Sequence, residues 1–130
     1  MRHFTHLKDL GPKGQAALIK LAAEYKRNEP GALLKGKVLG MLFFNPSLRT
    51  RTSFEVAMHK LGGMSVALEE GSGVWKLETE DGAVMNADKA EHVREAAPVL
   101  SRYVDVLGVR AFSRGMGQAD DDIDGVINAF

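Results

Sequence analysis

Apolar positions along the chain change period several times, and each change marks an element. Leu18, Ile19, Leu21, Ala22 and Tyr25 recur at helical spacing between about Pro12 and Asn28, with Pro12 suited to a first helical turn. Pro30-Gly31 closes this amphipathic helix. Lys37-Val38-Leu39-Gly40-Met41-Leu42-Phe43-Phe44 is short and almost continuously apolar, the pattern of a strand buried on both faces of a parallel sheet. Phe54, Ala57, Met58 and Leu61 form an i, i+3, i+4, i+7 set that predicts a second helix with those residues buried, ending at Gly62-Gly63. Met64 to Leu68 predicts the next strand. From Glu69 to about Lys89, Gly71, Gly73, Gly82 and Trp75 occur without sustained periodicity, which predicts a long loop of the kind that usually carries function. Val93, Ala96, Ala97 and Leu100 restore helical spacing, but Pro98 interrupts it, so a kinked helix or two shorter ones are expected. Val104 to Val109 predicts a third strand, and Ile123, Val126 and Ile127 a last short helix.

Strands alternating with helices imply right-handed crossovers and an α/β fold, a parallel sheet with helices on both faces. Ligands bind outside the carboxyl ends of such strands. Those ends lead into Ser47 to Thr52, into the loop bearing Trp75, and into Arg110, so three candidate contacts are expected on one edge. With 130 residues the chain has room for one domain with a real core and not for two ordinary ones.

Composition narrows the chemistry. The 17 basic and 17 acidic side chains cancel, leaving no footprint for nucleic acid or an anionic membrane. The absence of cysteine removes disulfides, thiolate nucleophiles and cysteine metal sites, and is compatible with the cytoplasm. Met1 to His6 holds no apolar stretch of signal-peptide length, and no segment reaches the roughly 20 apolar residues that span a bilayer. The expectation is a soluble, cytoplasmic protein.

Positive charge therefore matters locally. Asn45-Pro46-Ser47-Leu48-Arg49-Thr50-Arg51-Thr52-Ser53-Phe54-Glu55 places two arginines and four hydroxyls where the strand gives way to the second helix. Cations in a first helical turn oppose the macrodipole at a cost of about 0.3–1 kcal/mol each, which an anion relieves. A phosphate fits, because backbone N–H groups, hydroxyls and a planar guanidinium can enclose its oxygens. A purely architectural reading assigns Thr52 and Glu55 to a capping box and Arg51 and Glu55 to an i, i+4 ion pair. It leaves Ser47, Arg49 and Thr50 unexplained.

Ser47-Leu48-Arg49-Thr50-Arg51-Thr52-Ser53-Phe54-Glu55 resembles the S-x-R-T-R-x-S-F carbamoyl-phosphate signature of the aspartate and ornithine carbamoyltransferases. Phe43-Phe44-Asn45-Pro46-Ser47, Trp75 with Glu78, and Arg102-Tyr103-Val104-Asp105 leading to Gly108-Val109-Arg110-Ala111-Phe112 make the chain most similar to the N-acetylornithine and N-succinylornithine carbamoyltransferases of variant arginine pathways. The resemblance runs from about Lys26 to Phe112. It implies that Ser47, the backbone of Leu48, Arg49 and Thr50 hold the phosphate of carbamoyl phosphate, and that Arg110 reaches both phosphate and carbonyl oxygen. Arg49, Thr50 and Arg110 become the catalytic donors. The resemblance further implies a homotrimer in which Trp75 enters the neighbouring subunit's site, whereas the residues alone favour a tryptophan packed on its own domain. Near Lys89-Ala90-Glu91, Ala90 stands where acetylornithine enzymes tend to carry glutamate, which leans towards a succinyl or larger acyl group. Neither a metal nor a cofactor is implied.

The family's His-Pro-x-Gln stretch and its amino-acid-binding domain are absent. Residues 1–130 are thus expected to be a truncated carbamoyl-phosphate-binding domain, binding anion weakly and inactive alone. The alternatives are a noncatalytic phosphate-binding or trimerisation module and, less favoured, a single-strand RNA binder using Arg49 and Arg51. His3 and His6 lack the partners of a zinc site. His59 falls on a polar helix face, and His92 near a helix start is expected to be solvated rather than to touch substrate. Asp120, Asp121, Asp122 and Asp124 lack EF-hand spacing and read as capping material.

Overall fold

A computed structural model describes residues 3–85, 88–112 and 125–130, which divide into two units, residues 1–31 and 32–130. In the first unit a short 3-10 turn, Leu7–Leu10, leads into helix α1, Gly11–Arg27, with Pro12 in its opening turn as expected. The Asp9 carboxylate accepts from the backbone N–H groups of Thr5 and His6, each at 2.9 Å, and fixes the approach to the turn. Leu18, Ile19 and Leu21 are exposed.

The second unit contains β1 (Val38–Phe43), α2 (Leu48–Lys60), β2 (Met64–Glu69), β3 (Lys76–Glu78), β4 (Lys89–His92), α3 (Val93–Tyr103), β5 (Val106–Arg110) and α4 (Gly125–Asn128). β1 is the centre of a parallel three-stranded sheet in the order β2-β1-β5, and β3 and β4 form a separate parallel pair. The continuous apolar run has the expected cause, since Leu39 to Phe43 are all buried. Alternation along the strand then divides the core. Leu39, Met41 and Phe43 meet Met58 of α2, whereas Leu42 meets Leu77 and Ala96 of α3, so the two helices cover opposite faces. Leu42 is only 1% exposed, a burial worth about 1.5–3 kcal/mol.

Register at the two strand ends is pinned by polar contacts. Asp105 receives Lys37 Nζ at 2.7 Å and the Val38 N–H at 2.8 Å, which hold its carboxyl below the usual range, and its own N–H donates to the Val38 carbonyl. At the other end Phe43 stands opposite both Glu69 and Arg110. α2 stops in a Schellman arrangement, in which the Gly62 N–H donates to the His59 carbonyl and the Gly63 N–H to that of Met58. Gly62 has φ +77°, and a Cβ there would lie 2.8 Å from the Ala32 Cβ.

Several expectations require correction. The segment from Glu69 to Lys89 is not all loop, because β3 forms within it and pairs with β4. Strands of three or four residues are too short to show a period. Of the two alternatives at Pro98, two shorter helices do not form, since Pro98 lies inside the single helix α3, whose Val93 and Ala96 are anchored in the core. Of the four apolar residues predicted to be buried on α2, only Met58 is; Leu61 is half-buried, and Phe54 and Ala57 are exposed. Periodicity identifies the apolar face of a helix but not how much surface is available to cover it. The tail residues Asp120, Asp121, Asp122, Ile123 and Asp124 lie outside the described residues. Among those described, no helix is long and apolar enough to cross a membrane.

Candidate active site

The carboxyl end of β1 delivers the arginine motif to the edge of the sheet. Helix α2 begins at Leu48, with Ser47 as its N-cap in extended geometry (φ −149°, ψ 116°) and no side-chain cap hydrogen bond. The first turn thus presents its N–H groups without the usual side-chain acceptor, the condition under which a helix start receives an anion. The capping box expected from Thr52 and Glu55 does not form. Thr52 lies a full turn inside the helix, its hydroxyl donating back to the Leu48 carbonyl at 2.8 Å.

The two arginines have different surroundings. Arg51 donates through Nε to Glu55 at 3.0 Å, the expected i, i+4 pair, and through Nη1 to Glu69. These carboxylates, Glu55 foremost, raise its basicity further. Arg49 is exposed and has no hydrogen bond or ion pair among the described residues. A third guanidinium approaches from the end of β5. Arg110 Nη1 donates to Thr50 Oγ1 at 3.1 Å, while its charged carbon lies 4.7 Å from the centroid of the Phe112 ring. Two connections hold β5 and its exit beside the motif. The Phe44 N–H donates to the Arg110 carbonyl at 2.9 Å, and the Phe112 N–H to Asn45 Oδ1 at 2.7 Å.

Ser47, Arg49, Thr50 and Arg110 therefore share one edge, as the strand order required, and Leu48 is 82% exposed beside them. Trp75 is placed differently. Its indole N–H donates to Glu91 Oε2 at 3.1 Å, and it borders a hollow of about 240 Å³ lined also by Leu42, Leu68, Leu77 and Ala96, to which none of those motif residues contributes. Ala90 is exposed on β4 next to Glu91.

Polar contacts organise this neighbouring region. Glu78 accepts from the N–H groups of Thr79 and Glu80 and from Lys89 Nζ, which joins β3 to β4. The Glu80 N–H first and Lys89 second hold its carboxyl at about 2. His92, expected to be solvated, instead caps α3, with Nδ1 accepting from the Arg94 N–H at 3.1 Å and Nε2 at 3.1 Å from the Glu80 carbonyl. Among the described residues no group of three or more His, Cys, Asp or Glu could hold a metal ion.

The family model described as aspartate/ornithine carbamoyltransferase, carbamoyl-P binding domain, matches residues 2–130. The chain belongs to the aspartate/ornithine carbamoyltransferase family. Within it, the chain is 45% identical over 130 residues to the N-acetylornithine carbamoyltransferase of Xanthomonas campestris pv. campestris, a match covering 100% of this chain and 38% of that protein. It is 40% identical to the N-succinylornithine carbamoyltransferase of Bacteroides fragilis, again over its whole length and 41% of the relative. A crystal structure of an N-acetyl-L-ornithine transcarbamylase variant with glutamate replaced by alanine, complexed with carbamyl phosphate and N-succinyl-L-norvaline, superposes with a TM-score of 0.93 at 45% identity, covering 100% of this chain and 39% of that one. The chain spans about two fifths of the length of the relatives it matches.

Two residues that organise the carbamoyltransferase motif carried no role in the sequence reading, Asn45 and Glu69. Asn45 joins a segment 67 positions away, and Glu69 one 18 positions away. Asn45 stood within the recognised stretch, but no local pattern identifies its partner.

Proposed function

We propose that the longer protein to which these residues belong transfers the carbamoyl group of carbamoyl phosphate to the side-chain amine of an N-acylornithine, in arginine biosynthesis, and that this chain supplies the carbamoyl-phosphate half of the site. The observation that carries the reading is the meeting of Thr50 and Arg110 at the sheet edge, beside an Arg49 that has no acidic partner among the described residues. Ser47, the Leu48 N–H, Arg49 and Thr50 surround the phosphate, and Arg110 spans phosphate and carbonyl oxygen. The amine nitrogen bonds to the carbonyl carbon, charge grows on the carbonyl oxygen, the bond to phosphate oxygen breaks, and the nitrogen loses a proton. Donors fixed in advance stabilise that developing charge without reorganising.

The amino-acid substrate is received by a second domain, and residues 1–130 alone bind anion without turnover. Trp75 completes the site of a neighbouring subunit in a cytoplasmic homotrimer. For that, its bond to Glu91 must be exchanged for contacts to substrate. Ala90 leaves room for a succinyl or larger acyl group. We take the glutamate replaced in the relative crystallised with N-succinyl-L-norvaline to be its counterpart. Neither a metal nor a redox cofactor takes part in the proposed chemistry.

The test is calorimetric titration with carbamoyl phosphate, inorganic phosphate and a bisubstrate phosphonate, with the molecular mass measured in parallel. Saturable binding by a trimer supports the reading. A monomer that gives no phosphate heat contradicts it.

A further inference from the structure

Glu69 occupies the point where the anion turn and the loop that bears Trp75 meet. It ends β2 opposite Phe43, the last residue of the strand that leads into the motif. One carboxylate oxygen accepts from Arg51 Nη1 in the first turn of α2, and the other accepts from Ser72 Oγ at 3.1 Å. Its backbone carbonyl accepts from the N–H groups of Gly73 at 2.9 Å and Val74 at 3.0 Å, so the turn after β2 is closed on this residue by side chain and backbone together. Trp75 is the next residue along the chain.

The ion pair is too exposed to matter through its strength. The Arg51 side chain retains 42% of its exposure and that of Glu69 retains 38%, the regime in which an ion pair adds little stability. Its consequence is geometric. Arg51 is drawn towards Glu69 and Glu55, leaving Arg49 as the motif's guanidinium available to an anion, and the same carboxylate ties the motif to the turn after β2. An anion bound to the first-turn N–H groups acts on the turn that contains Arg51, and a contiguous chain of contacts then runs to Glu69, whose side chain holds Ser72 and whose backbone carbonyl holds Val74, the residue before Trp75.

We propose that Glu69 is a positioning residue that links the anion turn to the Trp75 loop, so that an anion seated among Arg49, Thr50 and Arg110 alters the surroundings of Trp75. This rests on the anion-site reading given above and adds a communication path to it.

The chain has a single tryptophan, so its fluorescence reports on this loop alone. Inorganic phosphate and carbamoyl phosphate are titrated into the wild type, Glu69→Ala, Glu69→Gln and Ser72→Ala, with emission and calorimetric heat followed in parallel and folding checked by circular dichroism. In the wild type the emission change is expected to saturate at the same concentration as the heat. In Glu69→Ala the emission change is lost while phosphate affinity moves by no more than about fivefold, the range for one exposed ion pair. Glu69→Gln keeps an acceptor oxygen and retains most of the response. Ser72→Ala removes one exposed hydroxyl, remains folded and weakens the response. An unchanged emission response in both Glu69→Ala and Ser72→Ala, or wild-type heat without any emission change, overturns this proposal alone. Absence of heat in the wild type overturns the anion reading and this proposal with it.

Discussion

Arg110 and Thr50, 60 residues apart in sequence, are joined by a 3.1 Å hydrogen bond from the guanidinium to the hydroxyl. The parallel register produces this pairing. β5 lies beside β1 with Arg110 opposite Phe43, so the end of one strand opens onto the helix that follows the other. Phe112 beneath the guanidinium and the Asn45 bond to the Phe112 N–H fix the same corner. A side chain held in position before binding loses less conformational freedom when a ligand arrives.

Arg49→Ala in the longer protein should lower carbamoyl transfer at least about 100-fold, the scale for losing one oxyanion donor. The loss should appear in kcat as well as KM, because developing charge exceeds that of the ground state. Initial rates at saturating carbamoyl phosphate decide it, and near-normal turnover would remove Arg49 from the proposed chemistry.

Gly62→Ala should destabilise the fold by at least about 1–2 kcal/mol, the cost of holding an alanine in the left-handed region. The added methyl would also lie 2.8 Å from the Ala32 Cβ and force that contact to open. Urea unfolding measures the difference, and an unchanged midpoint would contradict the αL cap.

Glu78 gives a pH dependence with a definite sign. Its carboxyl lies near 2 in the folded chain against an ordinary 4.5, so the folded state binds the proton less readily than the unfolded state. The resulting stabilisation is complete above pH 4.5 and is lost as the pH falls from there towards 2. Wild type should therefore exceed Glu78→Gln in stability at pH 7, with the gap narrowing on acidification. Unfolding midpoints at pH 7, 4 and 2.5 test this, and a gap independent of pH would show that the charge of Glu78 is not the cause.

His92→Ala removes the acceptor for the Arg94 N–H and should cost about 1 kcal/mol, as for other lost N-caps. Asparagine is a good cap, so His92→Asn should recover most of that loss. Thermal melts of the three proteins distinguish capping from simple side-chain removal, since equal melting temperatures for the two variants would exclude the cap.

The elements legible in the sequence are those whose own residues declare them. β1 is a continuous apolar run because both its faces are covered, α1 and α3 carry helical spacing, and Gly62-Gly63 marks the end of α2. The arginine motif is equally legible, since its residues are consecutive. The β3-β4 pair was not, because each strand is too short for a period and neither is stable without the other. The capping box at Thr52 fitted the spacing, but Ser47 starts the helix a turn earlier and turns the Thr52 hydroxyl inwards on its own backbone.

The sequence by itself determined the α/β class, the order of its main elements and the family motif, all of which follow from periodicity or from consecutive residues. Only the tertiary structure completed the division of charge. Arg49 and Arg51 are two positions apart and chemically identical; the spacing already gives Arg51 its Glu55 partner one turn on, and the pairing of β2 with β1 adds Glu69, which no local pattern specifies. Arg110 joins Thr50, and Trp75 joins Glu91, for the same kind of reason: strand register selects partners that no local pattern specifies.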